Sequence, residues 1–539
     1  MNANADEQPL PGYVAVTPKG PRASTVVAFE LNGESVEVPD EGLSLLELLR
    51  DGLGTSSVKD GCSPQGQCGC CTVWVDGKAR VACVTPAKRV QGRCVTTLEG
   101  LADADSWADA FVAAGATQCG FCTPGIIMRL AALAPAAQHD QAAVEKALVA
   151  HLCRCTGWQS VVEATVGRQE ISTIAVTERD AELASRRAAL EGGTPQAVAR
   201  EAALGLGGFS EDSAPGESIV ALLDRGGEWV VGDSLREARE AAGKVPGRRS
   251  TAPTAWPLAC PSGDWARTLQ TTWVEPAYLE PDASWCLPDA EPSSPNGNGG
   301  AFGGKRNSDV AEAARRLANE HARPVRALLT REDVVRIAPK RPPVAGGVGS
   351  NGTGRLHLAR PATPSEEDQL RRDISVVAPD LEVEFADAIG PPVSADIRGA
   401  GWVEAAVLMS SLRDGPDRVT SPEGAVATAA IDSSSGTVLV TVRCGAVLDE
   451  VVLRSYCVGA AHMALGWVES ESLALDDDGI PVDLTIRSFG VLRAVDTPRI
   501  EVTIEPDDAD PINGSDAVFA AVAAAAWRAK GFPTRWPTG

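Results

Sequence analysis

One glycine-rich run of cysteines constrains this chain more than any other feature. Within residues 61–83, Cys62, Cys68, Cys71 and Cys83 form a C-x5-C-x2-C-x11-C pattern. Three thiols converging from one loop leave little room for side chains, and nearby backbone N–H groups must turn inward to meet their charge. Gly61, Gly66 and Gly69 supply the close, positive-φ path that this needs. Cys70 breaks the C-x2-C step between Cys68 and Cys71 and reads as a spare thiol. Ten of the fourteen cysteines fall between Cys62 and Cys155, a clustering that points to metal binding in a reducing compartment.

The spacing is one residue longer than the C-x4-C-x2-C loop that, with a distant fourth cysteine, carries the [2Fe–2S] cluster of plant-type ferredoxins. A zinc site more often pairs two short cysteine clusters. A disulfide framework is disfavoured because residues 1–20 are polar and Pro-rich, with no signal-type apolar core. The expectation is a [2Fe–2S] cluster on Cys62, Cys68, Cys71 and Cys83.

The flanking residues set a fold around that loop. Residues 25–38 alternate around Asn32-Gly33, and residues 72–84 turn at Asp76-Gly77, both signals of type I′ hairpins. Between them residues 44–53 read as a short helix, with Ser44 as N-cap and Glu47 completing a capping box. Two hairpins on one helix, with a metal loop between, is the β-grasp arrangement, expected at residues 25–102 behind a mobile tail at 1–24.

Residues 103–168 read as helical and carry a second pattern, C-x2-C-x30-C-x-C, in Cys119, Cys122, Cys153 and Cys155. Thr123-Pro124 reads as an N-cap followed by Pro at the first helical position, and Thr156 as the cap of the last helix. Helix N-termini present free N–H groups and partial positive charge, which suit an anionic thiolate cluster. Structural zinc fits the C-x2-C step but not the tight C-x-C. Residues 169–249 read as an Ala-rich, acidic helical linker on the surface, with a small packed unit around Trp229.

A chain of 539 residues holds three or four domains. Its net charge of −23, with acids spread along its length, argues against nucleic acid and anionic membrane surfaces. No apolar run is expected to reach transmembrane length, so membrane insertion is not expected. With the cysteine usage, this makes the cytoplasm the expected location.

Two such motifs in this order resemble the iron–sulfur domain of the molybdenum hydroxylases, the xanthine dehydrogenase and aldehyde oxidase family. The resemblance covers roughly residues 26–166 and rests on Gly-Gln-Cys-Gly-Cys-Cys-Thr-Val, Gln-Cys-Gly-Phe-Cys-Thr-Pro-Gly and Leu-Cys-Arg-Cys-Thr-Gly. It implies an electron relay through two [2Fe–2S] clusters, from a molybdenum–pterin cofactor to FAD. The helical-domain cluster would lie nearer the molybdenum. Gln118 matches a family residue that hydrogen-bonds the pterin.

Residues 250–539 resemble the family's molybdenum-binding portion in shortened form. Residues 272–285 are similar to its Leu-Glu-Pro segment, residues 299–305 match its Gly-Gly-x-Phe-Gly-Gly-Lys loop, and residues 397–401 resemble its Phe-Arg-Gly-x-Gly loop. The segments that cradle the pterin, and the terminal glutamate that serves as general base, are missing. Asp516 is a poor substitute base, and Ser515 or Asp516 reads better as a helix N-cap. Gly299–Gly304 and Arg398 then read as remnants serving packing and a structural ion pair.

The expected architecture is α+β and multidomain: a β-grasp [2Fe–2S] domain, a four-helix [2Fe–2S]-binding domain, and an abbreviated α+β molybdenum-hydroxylase-like domain at 250–539. The resemblance implies an electron-transfer subunit in a heteromeric complex. Molybdenum–pterin cofactor and FAD would reside on partner subunits, with Gln118 and the second cluster facing the partner's pterin. The shortened domain would mimic one half of a family dimer. The alternatives are a minimal hydroxylase binding its own cofactor through Gly299–Gly304 and Arg398, and a ferredoxin-like carrier with a dimerisation domain.

Overall fold

The computed structural model describes residues 26–62, 64–168, 179–243 and 253–539. The tail expected at 1–24 lies outside the described residues, as does part of the expected linker.

The first unit is a five-stranded sheet wrapped on a short helix. Its strands are β1 (Val26–Leu31), β2 (Glu34–Pro39), β3 (Thr72–Val75), β4 (Lys78–Val81) and β5 (Cys94–Thr96), in the spatial order β2-β1-β5-β3-β4. β1 and β5 run parallel, and the other neighbours antiparallel. Both hairpins turn as their sequences require: φ is positive at Asn32 and Gly33, and again at Asp76 and Gly77. The helical turn after Ser44 carries the expected capping box, with Ser44 Oγ accepting from Glu47 N and Glu47 Oε2 accepting from Ser44 N.

Four longer helices and the single turn Pro135–Gln138 form the second unit; the four are α1 (Ala104–Ala113), α2 (Thr123–Ala131), α3 (Gln141–Leu148) and α4 (Gln159–Val166). Two expected caps are corrected. Cys122, not Thr123, is the N-cap of α2, and the Thr123 hydroxyl meets Thr117 Oγ1 at 3.1 Å. Thr156 does not cap α4. The chain must turn at Gly157 and Trp158, both at positive φ, before the helix starts at Gln159. Thr156 Oγ1 faces Cys153 Sγ at 3.1 Å instead.

The expected surface linker is also corrected. Ile219–Leu223 is buried along its whole length and pairs with Trp229–Gly232 on one side and Val325–Leu328 on the other, in a four-stranded sheet closed by Ala283–Cys286. A strand apolar on both faces belongs inside a sheet, not on a surface. Two further four-stranded sheets complete the C-terminal module, one from Arg267–Gln270 to Leu381–Ala386 and one from Asp417–Thr420 to Ile500–Ile504.

Helices α5 (Glu450–Glu469) and α6 (Ser515–Ala529) form the centre of this module, with Trp467 of α5 stacked on Phe519 of α6 at 5.4 Å. α5 is apolar around most of its circumference, as a helix covered on all sides must be. It is long and apolar enough to cross a membrane, contrary to the sequence expectation, and 89% of its most apolar window is buried inside the protein. Asp449 caps it, accepting from Val452 N at 2.8 Å and held by Arg179.

α5 packs on the second cysteine motif through glycine. A Cβ on Gly459 would lie 1.8 Å from the Cys155 carbonyl oxygen. Gly459→Ala is therefore expected to destabilise the protein by about 1–3 kcal/mol and lower its Tm. Gly216→Ala, where a Cβ would meet nothing within 4 Å, is expected to stay within about 0.5 kcal/mol. Thermal unfolding of the two variants side by side checks this, and equal Tm values would contradict the packing.

Two adjoining thiol sites

The first set gathers Cys62, Cys68, Cys71 and Cys83 in the interior of the β-grasp unit, all buried and none in a disulfide. Cys62 meets the Cys68 and Cys83 thiols, and Cys83 also meets Cys71. Backbone groups turn inward as the glycine-rich sequence requires. Gln65 N–H points at Cys62 Sγ (3.3 Å) and Cys83 N–H at Cys71 Sγ (3.4 Å). The Cys68 and Cys83 thiols, with the amides of Gln67 and Cys68, hold Cys62 well below the ordinary thiol range.

The second set stands at the N-terminal ends of α2 and α4. Cys119 Sγ lies 3.8 Å from Cys155 Sγ, and Cys122 meets Cys153. Hydrogen bonding from Cys122 and then from Thr156 outweighs burial and draws Cys153 down to about 6. The second set is thus built from two pairs, while the first is a connected run, Cys68–Cys62–Cys83–Cys71. Among the described residues no three His, Cys, Asp or Glu side chains converge as a single metal ion requires. Each set supplies the four thiols that a [2Fe–2S] cluster asks for, two to each iron.

Close approach to the thiols is reserved for glycine. A Cβ on Gly61 would lie 3.1 Å from both Cys68 Sγ and Cys70 Sγ, and one on Gly300 would lie 2.9 Å from Cys119 Sγ. The two sets adjoin. A Cβ on Gly125, in the first turn of α2, would lie 2.4 Å from the Gly69 carbonyl oxygen, and Leu152 N donates to Cys68 O at 3.0 Å. Cys70, the spare thiol, lies between them, hydrogen-bonded to Cys68 and within the electrostatic reach of Cys62, Cys71 and Cys153.

Gln118 is not where the resemblance implied. It is 6% exposed and covered by the chain's own α5, its Nε2 donating to Cys155 O and to Ser455 Oγ, each at 3.0 Å. Ser455 donates in turn to Gly115 O at 2.6 Å. Gly115, Gly157 and Gly459 let α5 come this close, so no partner reaches Gln118 while α5 is in place. Its Oε1 has no hydrogen-bond partner.

The loops at 299–305 and 397–401 pack against the chain's own side chains. Lys305 is buried against Glu280 (2.6 Å) and the carbonyls of Pro281 and Pro295. Arg398 pairs with Asp516 at 2.6 Å, donates to Ser515 Oγ and lies over the Phe302 ring. The expected N-cap role of Ser515 or Asp516 passes to Gly514, whose amide and that of Ser515 are met by the Glu191 carboxylate. Arg154, between Cys153 and Cys155, makes a two-pronged pair with Glu471 (2.6 and 2.8 Å).

The cavity left among Arg154, Phe302, Arg341, Arg398, Trp467 and Phe519 is about 40 Å³, against the ~300 Å³ or more that a cofactor-sized ligand occupies. A molybdenum–pterin cofactor does not fit there. A roomier cavity of about 300 Å³ borders Arg50 and Arg326, but both cations are already paired, with Asp212, Glu211 and Asp51, and no thiol lines it. The Arg154–Glu471 pair had one sequence cue, an arginine between two cysteines, while Glu471 had none.

A family model described as the [2Fe-2S] binding domain matches residues 97–166. The xanthine dehydrogenase iron-sulfur-binding subunit of Escherichia coli O157:H7 is 40% identical over 131 residues, which span 23% of this chain and 81% of that protein. The chain belongs to the xanthine dehydrogenase family. The nicotinate dehydrogenase small FeS subunit of Eubacterium barkeri is 39% identical over 139 residues, 24% of this chain and 87% of that one. Beyond those residues this family member keeps the fold. The aldehyde oxidoreductase of Desulfovibrio gigas superposes with a TM-score of 0.70 over 95% of this chain and 99% of that one, at 15% identity.

Arg398 tests the packing account. Arg398→Met strands Asp516 at the start of α6 and is expected to cost roughly 3 kcal/mol. Chemical denaturation measures the loss. An unchanged stability would mean that Arg398 is held for something other than packing.

Proposed function

We propose that this chain is an electron-transfer component of a molybdenum-dependent oxidoreductase. In this reading one [2Fe–2S] cluster sits on Cys62, Cys68, Cys71 and Cys83, and a second on Cys119, Cys122, Cys153 and Cys155. When bound, each supplies a one-electron site. The chain's own residues do the rest. Eight thiols are held in two sets of four, water is kept out by burial, and backbone amides face the sulfurs to stabilise negative charge. The observation that carries the reading is the direct contact of the two sets through Gly125, Gly69 and Cys70, which leaves a short path from one to the other.

The β-grasp and helical units, residues 26–102 and 103–168, form the relay, and the C-terminal module is a cofactor-free support. A molybdenum-cofactor subunit and an FAD subunit are the partners of this reading, which the names of the relatives support, since both are iron–sulfur subunits. The first set offers the more open edge. Val84, next to Cys83, is 59% exposed, and FAD is assigned to that side. The second set is closed off by α5, so a molybdenum subunit docks outside Gln118 and not on it. The whole-chain likeness to an aldehyde oxidoreductase favours a second reading, a minimal hydroxylase with its own cofactor, but the 40 Å³ cavity weighs against it.

Site-resolved spectroscopy tests the assignment. The reduced chain is expected to show two distinct [2Fe–2S] EPR signals, with Cys71→Ser abolishing one and Cys153→Ser the other. Each variant is expected to keep about two of about four irons. A chain whose signals are unaffected by both substitutions would overturn the ligand sets.

A further inference from the structure

The C-terminal module does more than cover the thiol sites: it reaches into the loop of the first. Gln65 and Gln67, between Cys62 and Cys68, are both gripped by residues 484–487. Gln65 Nε2 donates to Leu484 O (2.8 Å) and Glu332 Oε1 (3.1 Å), while its Oε1 accepts from Ile486 N (3.1 Å). Gln67 accepts twice from Arg487, at its side chain from the backbone N and at its carbonyl from Nε (2.9 Å). The same guanidinium donates through Nη1 to Val149 O at 3.0 Å. Arg487 is strapped between the residue preceding Cys68 and the end of α3.

Its charge has no ordinary partner. Among the described residues no carboxylate pairs with Arg487, although it is half-buried. Burial lowers its pKa, and the groups that oppose this are Cys68 and Cys62. The neighbouring cation, Arg493, is paired with Asp496. Arg331 approaches the loop from the other side and is likewise held by carbonyls, donating to Gly61 O at 3.1 Å and to Leu279 O at 2.9 Å. A half-buried cation without a carboxylate is costly unless negative charge faces it, and the thiolates of the first set are that charge. Four thiolates around two irons and two sulfides remain net negative, and reduction adds one more unit.

We propose that Arg487 sets the reduction potential of the first site, stabilising its reduced form across the interface between the C-terminal module and the β-grasp loop. The proposal rests on the [2Fe–2S] reading of Cys62, Cys68, Cys71 and Cys83. It gives the cofactor-free module a role in the relay: making the first site the easier one to reduce, so that electrons collect at the exposed edge.

The test is potentiometric EPR titration of the full chain, following each signal separately. Arg487→Gln is expected to shift the first site's reduction equilibrium about tenfold toward the oxidised form, about 59 mV, and to leave the second site unmoved. Arg487→Lys is expected to restore most of the shift. Ser488→Asp keeps the guanidinium and adds a carboxylate beside it. It is expected to move the same signal in the same direction, and covers the case in which Arg487→Gln fails to retain iron. An unmoved first signal in the iron-loaded variants overturns the role of Arg487. Absence of any first-site signal in the unsubstituted chain, with iron measured in parallel, overturns the underlying reading instead.

Discussion

Nine of the twelve buried thiols among the described residues gather in two adjoining cores, and the rest of the structure depends on how their charge is met. Thiolates taken out of water repel one another and lose hydration, so each must face a metal, a cation or an N–H group. The backbone supplies the last of these. Two glycine-rich segments meet where Gly125 abuts Gly69 and Cys70. Backbone meets backbone at that point, which keeps the sets close, and closeness is what a relay needs.

The C-terminal module shows the complementary side of the same constraint. It keeps the fold of the aldehyde oxidoreductase while its interior is filled by the chain's own ion pairs and rings. Arg398 faces Asp516, Arg341 faces Glu404, Lys340 faces Glu275, and Trp467 stacks on Phe519. Cations that a phosphate or pterin would otherwise attract are matched by carboxylates from the chain itself. Arg487 has no such carboxylate among the described residues, and its Nε donates to Gln67 O in the loop of the first thiol set.

Local features were legible in the sequence. The two type I′ turns, the Ser44–Glu47 capping box and both cysteine patterns involve residues close along the chain, whose geometry is set by φ preferences and spacing. The caps at Thr123 and Thr156 were misplaced because the cysteines claim the turns beside them. The strand Ile219–Leu223 was read as part of a linker because its partners, Val325–Leu328, lie a hundred residues away. The burial of Gln118 under Ser455 and the grip of Arg487 on Gln67 join residues 337 and 420 positions apart. No local pattern encodes contacts of that range, and the resemblance that assigned Gln118 to a pterin carried no information about a helix that covers it.

The most direct measurement is the iron, molybdenum and pterin content of the full chain purified by itself. The account predicts about four irons per chain, with neither molybdenum nor pterin. Stoichiometric molybdenum and pterin on the isolated chain would contradict it. The closed cavity beside Arg398 would then have to open, and the C-terminal module would be a catalytic domain.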